Sequence, residues 1–453
     1  MKRFLGVLLV LLLVISIIGC APKADTKPSA DTKPAADDGA ADDGAADAEE
    51  PSTDPIIVGH LTTYTGPFAN YGVFFDSSIE FALRYVNENP PLGRKVELIN
   101  KDIGTIGESV VAKQFIEQDG IDILYNFSGD YMSYREWMLE YVAEHNAPLL
   151  PSIHAGSITA EKGGTAAEPI FRGQPMDDNQ ALMSSLHMLD EGVKSVVIFG
   201  VDREEMILQK ETAGKACEIL GIEVLDEVTI QHSMTYTAEA AAAVALNPDG
   251  IILFGQGETG GTLVKNLYEA GFTGKIIGET NSTNVEFFNT ATQEAISAME
   301  FVRASTYAPA GAEATDFYYA GWEDAANADL LKGIDNDFNS TYVLSAYDLV
   351  NATCLAIQLA GSVDADAWVD AMHKVTNPPG KKVYTYAQGM EALAAGEEID
   401  YDGVTGTFEY TETGVVSGIY AIVNWEDDGS LTQKTIIDAA RVAELGLKLV
   451  AAN

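Results

Sequence analysis

Twice along the chain, short apolar runs of strand length alternate with segments whose apolar residues recur at helical spacing. This alternation constrains the fold more than any other feature. The first series opens with Ile56-Ile57-Val58-Gly59-His60-Leu61, and Phe75, Ile79, Ala82, Leu83 and Val86 then mark one helix face. Strands are expected at 96–99, 121–125 and 149–150, with helices at 109–117 and 132–145. A second series follows Phe171-Arg172, with strands at 195–199, 223–229, 250–254 and 275–278 and helices near 178–189, 205–220, 237–246 and 261–270. Gly221 and Gly271 fall where helix ends favour glycine. Alternating βα units build parallel sheets with helices on both faces. The expected class is therefore α/β, with two doubly wound parallel-sheet lobes. Beyond Met299 the pattern turns helical, near 315–331, 340–360 and 364–375, and a hairpin-like tail turns at Asp428-Gly429.

The rest of the chain sets the context. Lys2 and Arg3 precede an apolar stretch over 4–18, shorter than the roughly 20 residues a membrane span needs. It ends at Gly19-Cys20, the form of an export signal. A small residue abutting cysteine resembles the prokaryotic lipoprotein box. Residues 1–19 are thus expected to be a signal peptide and Cys20 the lipid attachment site. No second stretch is expected to reach membrane-spanning length. Residues 21–55 repeat Ala-Asp-Thr-Lys-Pro and contain no Leu, Ile, Val or aromatic residue. Such a segment buries too little to offset chain entropy, so 20–55 reads as a disordered tether. The tether has ten acids against three lysines and the leader two positive charges, leaving −36 of the total −41 on the folded part. That excess disfavours nucleic acid, whose phosphates need Lys and Arg.

Open α/β sheets bind ligands beyond the carboxyl ends of their strands. The loops at 62–72, 126–131, 152–158, 200–205, 255–260 and 279–284 are therefore the candidates. Gly255-Gln256-Gly257-Glu258-Thr259-Gly260 has the spacing of a dinucleotide turn, with Glu279 ending the next strand. Its mid-chain place in an exported protein favours a plain βα turn, and no cofactor is expected. Six histidines are scattered without metal-ligand spacing, and Cys217 and Cys354 sit on expected helices as buried thiols. Asp335-x-Asp337-x-Asn339 starts like a calcium loop, but Ser340 stands where glycine is needed and Ala346 where the bidentate acid belongs. No nucleophile elbow or phosphate loop occurs, so no catalytic residue is assigned. Ser128-Gly129-Asp130-Tyr131 and His154-Ala155-Gly156-Ser157 are different: small residues and hydroxyls at strand ends can present amides to an anion.

Four segments then carry a resemblance. Thr65-Gly66-Pro67-Phe68-Ala69-Asn70-Tyr71-Gly72, Asn247-Pro248-Asp249-Gly250-Ile251 with Glu269-Ala270-Gly271-Phe272, Ala346-Tyr347-Asp348 and Asp400-Tyr401-Asp402-Gly403-Val404-Thr405-Gly406 occur in order. Over 56–435 the chain resembles the substrate-binding proteins of branched-chain amino acid type ABC transporters, which have a type I periplasmic-binding fold. The resemblance implies three crossovers, near 172–174, 302–306 and 414–418. Lobe 1 would be 56–172 plus 305–415, and lobe 2 would be 173–304 plus 416–453. It also implies that Tyr71 packs on the ligand and that Ser128, Gly129, Ala155, Gly156 and Ser157 hold a carboxylate. Lobe 2 would supply an amine partner, at Glu279 or Thr280. Glu204 and Gln256 stand in the corresponding lobe 2 loops. The sequence departs from the family at Tyr125-Asn126, at Gly156 and at Glu204-Glu205.

The expected function is an extracytoplasmic, lipid-anchored receptor, monomeric and without catalysis. It would close on a small solute, an amino acid or related amide or carboxylate, and deliver it to an ABC permease. The alternatives are a ligand-sensing receptor for a separate signalling partner and, further off, an exported NAD-dependent enzyme.

Overall fold

The computed structural model describes residues 52–65, 69–125, 130–153, 162–255, 257–334 and 336–452. The leader, the tether and Cys20 lie outside them. The first lobe opens with β1 (Ile56–Thr62), α1 (Ala69–Val86), β2 (Val96–Asp102), α2 (Glu108–Gln114), β3 (Ile123–Tyr125), α3 (Arg135–His145), β4 (Leu150–Ser152) and β5 (Ile170–Arg172). Strands β2-β1-β3 pair in that order, Leu149 bridges to Ile123, and β4 pairs with β5, all parallel. The second lobe runs α4 (Asp178–Asp190), β6 (Ser195–Val201), α5 (Glu204–Leu220), β7 (Glu223–Ile230), α6 (Thr237–Ala245), β8 (Gly250–Phe254) and α7 (Gly257–Glu269). It continues through β9 (Lys275–Gly278), α8 (Val285–Ala291), α9 (Gln293–Ala298) and β10 (Phe301–Tyr307).

The chain then returns to the first lobe as α10 (Ala312–Glu323), α11 (Ala328–Gly333), α12 (Thr341–Ala360), α13 (Ala365–Thr376), β11 (Lys381–Val383), α14 (Tyr386–Ala394), β12 (Ile399–Gly403) and β13 (Gly406–Thr407). It ends in the second lobe with β14 (Tyr420–Trp425), β15 (Leu431–Ile437) and α15 (Ala439–Ala452). The second sheet has the order β15-β14-β10-β9-β8-β6-β7, parallel from β7 to β10, with β14 and β15 antiparallel.

Burial explains why these strands were visible as apolar runs. Every residue of β8 is buried, because helices cover both faces of a parallel sheet. Two separate apolar cores result. One joins β1 and α1 to α12, with Phe81 stacked on Trp322 at 3.8 Å. The other joins β6, β8 and β9 to α7 and Trp425. Helix α12 is the centre of the first core. Contrary to the sequence expectation, it is long and apolar enough to cross a membrane, but 83% of its apolar window is buried inside the protein.

Three strand-to-strand passages link the lobes. Arg172 N–H donates to Gly414 O at 2.8 Å, Ala308 N–H to Ile419 O at 3.1 Å and Ala310 N–H to Val404 O at 2.7 Å. Gly173, Pro175, Tyr307, Ala308, Val416 and Gly418, two from each passage, line one small cavity. Residues 302–306, expected as a crossing, lie inside β10. Pairing with β9 and β14 holds that stretch in the sheet up to Tyr307. The helix expected over 315–331 is two helices, because Asp324 accepts from Ala326 N–H and turns the chain between them. Cys217 and Cys354 are buried, and burial pushes their thiols up to about 11 and about 12.

Candidate functional site

In the second lobe, the turn after β9 begins with Glu279. Its Oε2 accepts from Asn281 N–H at 2.8 Å, capping the 3-10 turn Thr280–Thr283. The residue is 2% exposed, and its Oε1 has no hydrogen-bond partner. Burial, with a smaller contribution from the charge of Asp177, pushes this carboxyl up to about 8. Thr280 beside it is fully engaged: its N–H and hydroxyl donate to Gln180 Oε1 at 2.7 and 2.6 Å. Of the two residues expected to meet an amine, Glu279 has a buried oxygen without a partner, while the Thr280 hydroxyl spends its proton on Gln180.

Gln180 lies in the first turns of α4, so its bonds to Thr280 draw the start of that helix onto the Glu279 turn. Asp177 and Asp178 come with it, in the corner where the first passage enters the lobe. Burial and then the neighbouring Asp177 charge push the Asp178 carboxyl up to about 6. Tyr307 closes the corner, donating from its hydroxyl to Met176 O at 3.3 Å. The sequence reading missed Asp177, Asp178, Gln180 and Tyr307. The Asp-Asp pair ahead of an expected helix was the only signal, and it reads equally as a helix start.

The glycine-rich turn has a packing reason. A Cβ on Gly257 would meet Asn284 Oδ1 at 2.3 Å, and one on Gly260 would meet the Phe287 ring at 3.1 Å. These glycines let α7 lie against α8, and that reason involves no ligand. Glu258 in the same turn is exposed.

In the first lobe, Asp102 at the end of β2 accepts from Tyr64 N–H at 2.8 Å, Gly104 N–H at 2.9 Å and the Thr65 hydroxyl at 2.6 Å. These bonds, the Thr65 hydroxyl first, hold its carboxyl below the usual range. A Cβ on Gly72 would lie 2.1 Å from Thr63 O, so the motif glycine lets α1 begin directly against the end of β1. Glu108 at the start of α2 is 2% exposed. It accepts from Tyr134 O–H at 2.9 Å through Oε1, and its Oε2 has no partner. Burial pushes it, too, up to about 8. Tyr131, edge-on to Tyr134 at 5.4 Å, donates to Glu168, which Arg135 grips with two bonds of 2.7 and 2.6 Å.

Tyr71 lies in the first turn of α1 and Glu204 opens α5, with their side chains outside the described atoms. Ser128, Gly129, Ala155, Gly156, Ser157 and Gln256 lie outside the described residues. Among the described residues, no group of three or more His, Cys, Asp or Glu side chains is placed to hold a metal ion.

Residues 55–430 match the sequence profile of a family described as periplasmic binding protein. A comparison with curated protein sequences found no match. Solved structures with the same fold include a leucine-binding protein of Thermotoga maritima, at 17% identity and TM-score 0.65, covering 84% of this chain and 99% of that one. A branched-chain amino acid transporter substrate-binding protein of Streptococcus pneumoniae, in complex with isoleucine, matches at 17% identity and TM-score 0.62, covering 84% and 99%. A solute-binding protein of an ABC transporter from R. palustris, in complex with benzoate, matches at 14% identity and TM-score 0.61, covering 84% and 96%.

Proposed function

The chain belongs to the periplasmic binding protein family, and from that premise we propose that it is the solute receptor of an ABC uptake transporter, closing on a small polar solute outside the cytoplasm. The observation that carries the reading is Glu279, a buried carboxyl with one oxygen bonded and one open at the carboxyl end of β9. An unsatisfied buried acceptor is costly unless something supplies a donor, and an ammonium is the best-matched one. The solute class is an amino acid or a related amide or carboxylate, in keeping with what the leucine, isoleucine and benzoate binders of this fold take.

In this reading the second lobe meets the amine through Glu279, with Thr280, Glu204 and Gln256 around it. The first lobe supplies Tyr71 as an aromatic wall and the Ser128-Gly129 and Ala155–Ser157 turns as anion donors. A solute touching both lobes favours the closed state and shifts the population towards it. Catalysis has no part in it, and the receptor works as a monomer that hands its solute to the membrane permease. A lipid on Cys20 tethers it to the membrane; Cys20→Ala should release it, and unchanged membrane fractionation would refute the anchor. The deciding experiment is a thermal-shift screen over amino acids, amides, short carboxylates and aromatic acids. A cognate solute at 100 times its Kd should stabilise the protein by about 2.7 kcal/mol. No shift from any class would end the reading.

A further inference from the structure

The turn that begins with Glu279 is fastened where the second lobe meets its passages. Both donors of Thr280, its N–H and its hydroxyl, converge on one atom, Gln180 Oε1, at 2.7 and 2.6 Å. Two donors use both lone pairs of that oxygen. Gln180 is buried, and it sits at the start of α4, just after the first passage ends. The other two passages reach the same corner. Tyr307, the last residue of β10, donates to Met176 O at 3.3 Å, and Asn179 Nδ2 donates to the hydroxyl of Tyr420, the first residue of β14, at 3.4 Å. The two tyrosine rings lie 5.7 Å apart. The Ser305 hydroxyl lies between Gln180 O and Gly278 O, at 3.2 and 3.3 Å. One side chain thus joins the Glu279 turn to the place where all three passages enter the lobe. Of the charged groups around the turn, Asp177 adds to the push that burial gives Glu279. Glu258 and Glu286, in the first turns of α7 and α8, are exposed, Arg303 on β10 is paired with Glu191, and β14 carries no charge. What seats the turn on α4 is the uncharged Gln180.

We propose, on the strength of the receptor reading above, that Gln180 is a positioning residue for the solute: it keeps Glu279 dry and in place for an ammonium, and ties it to the root of the three passages. Thr280 then serves Glu279 through Gln180 and not by touching the solute.

The first test needs no solute. The Glu279 carboxyl in the full chain, isotope-labelled for NMR and assigned by its loss in Glu279→Gln, should titrate at about 8. Gln180→Met keeps the length of the side chain and removes the shared acceptor. It should let water reach the carboxyl and lower the midpoint by at least one pH unit. Thr280→Val loses only the hydroxyl and should lower it by less. Thr280→Ser keeps both donors and should hold the wild-type value. Ser184→Ala loses a bond of 3.0 Å to Ser305 on the same helix and should leave the midpoint unchanged. A wild-type midpoint near 4.5 overturns the proposal. So does a midpoint that stays put in Gln180→Met and Thr280→Val, or one that moves as far in Ser184→Ala. The second test is leucine calorimetry at pH 9, where Glu279 is ionised in every variant and only its placement differs. Gln180→Met should bind leucine at least tenfold more weakly than the wild type, and Thr280→Ser within twofold of it. Equal affinity in Gln180→Met and the wild type overturns the role in binding. If leucine does not bind the wild type, the amino acid class of the receptor reading is lost, and the titration alone decides Gln180.

Discussion

Among the described residues, Glu108 in the first lobe and Glu279 in the second are buried with one oxygen held and the other open, yet the two are surrounded differently. Glu108 is held by a side chain, the Tyr134 hydroxyl, and Tyr134 packs edge-on against Tyr131, whose partner Glu168 is gripped by Arg135. Glu279 is held by its own turn, and the charge of nearby Asp177 adds to the push that burial gives its carboxyl. A buried acid alone therefore does not mark a ligand contact. What separates the two corners is what holds the carboxyl: a tyrosine side chain distant in sequence at Glu108, and the residue's own turn at Glu279.

The largest effect should come from pH, and here the lobes should behave alike until a solute is added. Both carboxyls are pushed from the ordinary 4.5 up to about 8, chiefly by burial. An acid whose pKa is raised by folding stabilises fully below its unfolded value, and that contribution is lost as pH climbs through the folded value. The window is therefore about pH 4.5 to 8. At about 1.4 kcal/mol per pH unit, each glutamate should cost on the order of 3 kcal/mol between pH 5.5 and 8. Urea denaturation across that range should show the decline, and Glu108→Gln or Glu279→Gln should each flatten it in part. A saturating cationic solute should cancel only the share of Glu279. A flat wild-type profile would show that neither group is protonated at neutral pH.

Removing the built-in cation comes next. Arg135→Met strands Glu168, which is 7% exposed, and should cost about 3 kcal/mol by urea denaturation. Asp178→Asn removes a charge that burial disfavours, since its carboxyl is pushed up to about 6, and should raise rather than lower stability at pH 8. Equal losses would erase the contrast between the corners. Solute affinity should reverse the ranking. Glu279→Gln should weaken an amine-bearing solute at least tenfold, about 1.4 kcal/mol, whereas Glu108→Gln should leave it within twofold by calorimetry.

The sequence made one half of this comparison easier to see than the other. β1, β6, β8 and β9 were legible because strands covered on both faces read as unbroken apolar runs. β11 was not, since two of its three residues are exposed lysines. α14 and α15 were passed over within a stretch read as a hairpin tail, although the turn at Asp428-Gly429 does join β14 to β15. Glu279 was found because it ends a strand in a recognisable βα unit. Asp177 was not, because what draws the start of α4 onto the Glu279 turn is a pair of hydrogen bonds between Thr280 and Gln180, a hundred positions apart in the chain. Local pattern reports the element a residue sits in, and such a pairing leaves no trace in it.

The smallest effect tests the first lobe most finely. Tyr134→Phe keeps the edge-on contact with Tyr131 at 5.4 Å and removes only the hydroxyl that donates to Glu108. That bond draws the carboxyl pKa down, against the larger upward push of burial, so losing it should raise the pKa further. At pH 6 Glu108 is neutral and the lost bond is an ordinary one, costing about 1 kcal/mol. Near pH 8 the carboxyl begins to ionise, and the same hydroxyl would then serve a charge, where such bonds are roughly twice as strong. The cost of the variant should therefore grow from pH 6 to pH 8.5 in paired urea denaturations, while the affinity for a solute held by Glu279 stays unchanged. A cost that is the same at both pH values would mean that Glu108 does not titrate in this range. The likeness between the two buried glutamates would then be one of geometry alone.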